Sequence, residues 1–440
     1  MGEIVTPIAC LTPYVTTTTM RHMAQIILAL LCIPDRVTLL GLSRWMESGG
    51  SYRTLQRWSQ TPLVWAQVLW AVVRSYLLHP TGRYLLAGDD VVDSKAGQAT
   101  HGLGRFYSSL AGGVIPSVSF LVVSLIDIER RRSYPLQVEQ RMPPTGASNA
   151  VPAGLPKHPR GRPKGSKNHA KAVPTLTPEL SLLEQMLRAV CVRIVPLRVG
   201  HVVLDGFFGT YPATYIVQQT GLHMISKLRH NAALYLPYAG PKPVRGPTPR
   251  YGQKLTYHAL PPEALCQTVM QGHYRTDTYQ VTALHHDFPD PLNVVILVKT
   301  NLRTGRTSHV VLFSTDLTLS AAQLVDYYNL RFQIEFNFRD AKQYWGLEDF
   351  MNVSPIALTN AVNLAFFMVN FSTMLLLPHR QAQTDFSVLD LKAHYRIQRY
   401  LDETIKCLPT LPTPDLISLI RQKLSALGGL RTRQLQKSPA

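Results

Sequence analysis

Four side chains in one stretch of this sequence carry groups able to handle anions and metal ions together: Tyr328, Arg331, Glu335 and Lys342. The Gln, Ala and Leu residues around Leu324 favour helix, and no Gly or Pro follows until Gly346. On a continuous helix of about 100° per residue, the four fall at about 0°, 300°, 340° and 320°. They would share a strip about 60° wide and about 21 Å long, with Phe332, Phe336 and Trp345 anchoring its flanks in a core. A carboxylate there can fix a divalent cation, while cations one to two turns away pin a phosphate against it. Arg331 and Glu335 alone would make an ordinary i,i+4 pair.

Two other acidic positions end apolar runs. Tyr84–Gly88 reads as a strand entering Asp89 and Asp90, and Val202–Leu204 as a strand entering Asp205 and Gly206. Aspartates at strand ends are also common turn formers, so position alone leaves a structural role open for each. A helix over 180–190 precedes the Asp205 strand, and an amphipathic helix over 210–220 follows it, which makes an alternating α/β unit.

The spacing Tyr-x2-Arg-x3-Glu-x6-Lys over 328–342 resembles the C-terminal signature of the IS4 superfamily of DDE transposases, and the match is complete. The resemblance covers roughly residues 84–350. It implies an RNase H-like mixed α/β sheet with a β-rich insertion, preceded by a helical DNA-binding domain. It also implies that Asp90, Asp205 and Glu335 are the catalytic carboxylates and hold two Mg²⁺ ions, with Mn²⁺ as a substitute. Three oxygen ligands without Cys or His suit those ions rather than zinc. Tyr328, Arg331 and Lys342 would then orient the DNA backbone. Asp90 is preferred to Asp89 because it directly precedes Val91, where the family usually carries Thr. Lys95 and Gly97 match the family's following Lys-x-Gly. The implied activity is Mg²⁺-dependent cleavage at the ends of an insertion sequence and strand transfer into target DNA, by a homodimer in a synaptic complex. A catalytically inactive, domesticated DNA-binding descendant and an RNase H-like nuclease are the alternatives.

The 440 residues suffice for two or three domains, and 45 Lys and Arg against 27 acids give a net charge of +18. That excess suits a polyanion, either nucleic acid or an anionic membrane surface. Five scattered cysteines without a CxxC pair argue for reduced thiols, against a disulfide frame or structural zinc, and with the resemblance for a cytoplasmic, nucleoid-associated protein. No leader or membrane span is expected: the apolar run 360–377 is diluted by Asn363, Asn370, Ser372 and Thr373 and reads as a buried helix.

Residues 1–80 read as a helical, helix-turn-helix-like DNA-binding region. Gly49 and Gly50 break the chain, Ser51 caps the next helix, and Tyr52, Leu55 and Trp58 form its buried face. Arg53 and Arg57 would point outward to DNA. The catalytic domain would span 81–350. Within it, 140–178 is a flexible basic excursion where Arg160, Arg162 and Lys164 resemble an AT-hook fitted to a narrow minor groove. A β-rich insertion is expected at about 230–292, with a further basic run (Lys242, Arg245, Arg250, Lys254). Residues 351–440 read as a helical C-terminal region.

Overall fold

The computed structural model describes residues 2–46, 51–108, 111–143 and 173–425. Five helices come first: α1 (Gly2–Ile8), α2 (Thr17–Cys32), α3 (Leu39–Trp45), α4 (Tyr52–Ser59) and α5 (Trp65–Val72). Strands β1 (Tyr84–Ser94), β2 (Gly104–Ser108), β3 (Gly113–Asp127) and β4 (Arg132–Arg141) follow, then α6 (Pro178–Ile194), β5 (His201–Leu204), α7 (Tyr211–Gln218) and β6 (His223–Leu228). Next come β7 (Leu234–Pro237), β8 (Tyr251–Lys254), β9 (Leu265–Gln271), β10 (Tyr274–His285), β11 (Leu292–Asn301) and β12 (Thr307–Ser314). Helices α8 (Ala321–Leu330), α9 (Gln333–Trp345), α10 (Pro355–Ala382), α11 (Val388–Lys406) and α12 (Pro414–Ser425) complete the chain.

One mixed sheet carries the order β2-β3-β1-β5-β6-β12-β11-β10-β7-β8, with β4 also on β3 and β9 also on β10. β3 lies antiparallel to β1 and to β4, while β5 and β6 run parallel to β1 through the crossovers α6 and α7. This arrangement is consistent with an RNase H-like DDE fold. The strands expected in the insertion continue the same sheet beyond β6, because β12 adds antiparallel to it and β11 and β10 follow.

β1 is apolar on both faces, as a central strand must be. Leu85 and Ala87 join Val203, Ile225, Leu324 and Leu330 under α8. Leu86 and Val91 belong to the larger core with α6, α10 and the N-terminal helices. Gly88 is required where β1 meets β5, since a Cβ there would lie 2.8 Å from Leu204 Cδ2. α10 is long and apolar enough to cross a membrane, yet 78% of that window is buried inside the protein. Its asparagines are tethers: Asn360 accepts from Trp65 Nε1 (2.7 Å) and donates to Ser59 O, and Asn370 donates to Pro135 O. They tie the N-terminal helices and β4 to the same core.

Three local expectations change. The signature is two helices, since the chain tightens at Arg331 and Phe332 with i→i+3 bonds such as Phe332 N to Asn329 O and Glu335 N to Phe332 O. Phe332 and Phe336 are exposed (51% and 38%) and pack edge-on to each other instead of anchoring a core, whereas Trp345 is buried. Tyr52 is 45% exposed, so the buried face of α4 is Leu55 and Trp58. Ser51 does cap α4, accepting from Thr54 N. Gly49, Gly50, Arg160, Arg162 and Lys164 lie outside the described residues.

Candidate active site

Side chains alternate across a strand, so Asp89 shares a face with Leu85 and Ala87, and Asp205 follows Val203 on that same face. Both therefore point to the side covered by α8, where Arg331 ends the helix. The Arg331 guanidinium forms a close ion pair with Asp89 Oδ2 through Nη1, and its Nη2 lies 3.3 Å from Glu335 Oε1. Asp205 and Tyr328 also act electrostatically on it. Arg331 thus bridges a carboxylate from β1 and one from the first turn of α9, while the carboxylate at the end of β5 acts on it electrostatically without an ion pair.

Burial dominates the electrostatics here. It pushes the Asp89 carboxyl up to about 7; Arg331 opposes the shift, and the nearby Asp205 and Asp90 reinforce it. Asp205 is raised mainly by burial too, against Arg331 and the N–H groups of Phe207 and Phe208. Its Oδ1 accepts from Phe207 N at 3.0 Å, while Ser226 Oγ donates to its carbonyl (2.7 Å). The Asp205 side chain is therefore fixed by the turn that follows it. Burial raises the Tyr328 phenol as well.

Asp90 faces the other way. Its Oδ2 accepts from Arg141 Nη1 (2.7 Å) and Ser119 Oγ (3.3 Å), and Arg141 Nη2 reaches Glu179 at 3.1 Å. The two faces of β1 thus carry acids held by different arginines, although Asp90 still acts electrostatically on both Asp89 and Asp205 and raises them. Arg141 and Glu179 flank the basic excursion, and nothing in their local sequence marks them. Lys342 is turned inward: its ammonium donates to Val92 O (3.1 Å) and pairs with Glu348 (2.9 Å), tying α9 to β1. Lys95 is likewise occupied, by Asp93 (2.6 Å) and by Phe350, whose carbonyl and ring it meets. Arg53 and Arg57 are exposed on α4, remote in sequence from this cluster. The structure brings together Asp89, Asp205, Tyr328, Arg331 and Glu335; Asp90 and Lys342 flank them.

Among the described residues, no group of three or more His, Cys, Asp or Glu side chains is close enough to hold a metal ion. The Arg331 guanidinium bridges Asp89 and Glu335. The donor chemistry nevertheless fits a hard divalent cation: the available ligands are carboxylate oxygens, and burial makes two of them favour neutralisation.

The family model described as DDE superfamily endonuclease matches residues 10–287, well over half of the chain. The chain belongs to the DDE superfamily endonucleases. Membership implies hydrolysis of DNA phosphodiesters with a divalent metal. The match spans both Asp89-Asp90 and Asp205 and stops before α8 and α9, so Glu335 enters by geometry and by the signature spacing. No curated protein matches the chain significantly.

Proposed function

We propose that this DDE endonuclease is a transposase of the IS4 type, which binds the ends of its element, cuts them and joins them to target DNA. The observation that carries this reading is the bridging of Asp89 and Glu335 by Arg331, with Asp205 near enough to act electrostatically on both Asp89 and Arg331. The first carboxylate of the set is Asp89 rather than Asp90, supported by the strand parity that it shares with Asp205. These three side chains would hold the metal, which supplies an activated oxygen nucleophile and neutralises the leaving oxygen.

The chain's own groups do the positioning. Arg331 is a two-pronged donor suited to a phosphate, and Tyr328 beside it adds a phenol. In the DNA-free protein the guanidinium neutralises the acids; a phosphate would draw it outward and leave the carboxylates to metal. The net charge of +18 and the exposed Arg53 and Arg57 support broad backbone contact outside the cluster.

The test is cleavage of DNA carrying the element's ends, with Mg²⁺ supplied. Glu335→Gln should bind ends in a gel shift yet neither cut nor transfer strands; full cutting by that variant refutes the site. Cutting by the wild type without dependence on end sequence would favour a plain nuclease. End binding without any cutting would favour the inactive descendant, a reading that Val91 in the usual Thr position supports.

A further inference from the structure

We propose that β9 is a self-pairing edge through which two copies of this chain meet about a twofold axis. Among the described residues, β9 is hydrogen-bonded to β10 alone. The two-residue turn Gly272–His273 joins them, Gly272 adopting φ +57° and Gln271 lying opposite Tyr274. In such a hairpin the closing pair exchanges both its hydrogen bonds, and the pattern alternates from there. Gln271, Val269 and Gln267 therefore direct their backbone groups to β10. Thr268 and Met270 direct their N–H and C=O groups outward, to the free edge. The pairing shifts only between Thr278 and Tyr279, so 267–271 stays regular.

Proteins usually blunt such an edge with a charge, a proline, a bulge or a covering element. β9 has none of these along 267–271: its sequence from Leu265 to Gln271 contains no charged residue and no proline, and every residue in it is exposed. Val269 and Met270 are 44% and 59% exposed. The side chains of β9 itself carry no charge for a polyanion, and Arg275 opposite Met270 is paired with Asp277, which argues against DNA as the occupant. At +18, copies of this chain repel over most of their surfaces, so a neutral strip is where two can approach. A strand also pairs antiparallel with its own copy about a twofold without needing a second complementary sequence.

Val269 on the axis faces its own counterpart as a non-hydrogen-bonded pair, which brings the two apolar side chains together. Thr268 then lies opposite Met270 of the other copy on either side of the axis, and each pair exchanges N–H···O=C bonds. One short strand buries less than the roughly 1,200–2,000 Å² of a standard interface. The dimer is accordingly weak when free, and strengthens when one DNA molecule holds two copies at high effective concentration. The pairing is a property of the chain itself and does not depend on which DNA reaction it performs.

Sedimentation of the full-length protein, with and without a DNA duplex, tests this. A concentration-dependent monomer–dimer equilibrium is expected, and Val269→Lys should weaken it by at least about tenfold through like charges set face to face. Val269→Thr, matched by circular dichroism, should keep it. In a Cys266→Ser background, Val269→Cys should oxidise to a covalent dimer, because non-hydrogen-bonded partners about 4.5 Å apart at Cα lie within disulfide reach. A monomer under all conditions overturns the proposal and leaves the edge for a strand of another protein. A dimer indifferent to Val269→Lys that also gives no cross-link overturns it as well.

Discussion

The two faces of β1 carry adjacent aspartates, yet their surroundings differ. On the α8 side, Asp89 meets a guanidinium shared with a carboxylate of α9, and Asp205 in the turn after β5 acts electrostatically on both Asp89 and the guanidinium. On the α6 side, Asp90 meets Arg141, which it shares with Glu179 alone. In the first arrangement burial drives Asp89 and Asp205 toward neutrality, a condition that a divalent cation relieves. The second is a partly exposed ion pair that fastens the end of β4 to the start of α6. Neighbouring residues of one type thus meet different surroundings because a strand turns them to opposite sides.

The largest effect that can break this contrast is on cleavage. Asp205→Asn and Glu335→Gln should each lower the cutting rate at least about a thousandfold while gel shifts with end DNA persist. Asp89→Asn should do the same, whereas Asp90→Asn should keep the rate within about tenfold of wild type. Loss of cutting in Asp90→Asn with Asp89→Asn active would reverse the assignment of the two faces.

Much of this was legible in the chain. The strand ending at Asp205, the long apolar β3 and the buried α10 follow from period and composition, because burial on two faces leaves uninterrupted apolar runs. Which face each of Asp89 and Asp90 takes is not legible, since Leu85, Leu86, Ala87 and Gly88 give no alternation from which to read it. The inward turn of Lys342 was hidden too: its partner Val92 is a backbone carbonyl 250 residues away, which leaves no mark in side-chain chemistry. Nor does local propensity reveal the tight turn at Arg331 and Phe332, where no Gly or Pro stands. That turn lets Arg331 face β1 while Phe332 and Phe336 stay exposed.

A stability measurement sharpens the contrast without DNA. Because burial raises Asp89 to about 7, folding favours its protonated form. The associated stability is fully present below the unfolded value near 4 and is lost as pH rises through about 7. Urea midpoints of the metal-free protein should therefore fall between those limits. In Asp89→Asn the slope should flatten, and in Asp90→Asn it should remain. An unchanged slope in Asp89→Asn would contradict the buried placement. On the other face, Arg141→Met should lower stability by about 1–3 kcal/mol, by leaving Asp90 and Glu179 unpaired, with cutting retained.

The smallest effect distinguishes the cations. A phosphate contact contributes about 0.9 to the slope of log affinity against log salt. If DNA draws the Arg331 guanidinium from its acids onto a phosphate, Arg331→Gln should reduce that slope by about this amount. Arg141→Gln should leave the slope unchanged because its charge stays with Asp90 and Glu179. Lys342→Gln separates the two models of the signature. If its ammonium remains bound to Val92 O and Glu348, the slope is that of wild type and only the fit of α9 against β1 suffers. A drop equal to that of Arg331→Gln would show instead that DNA draws both cations of the signature onto its backbone.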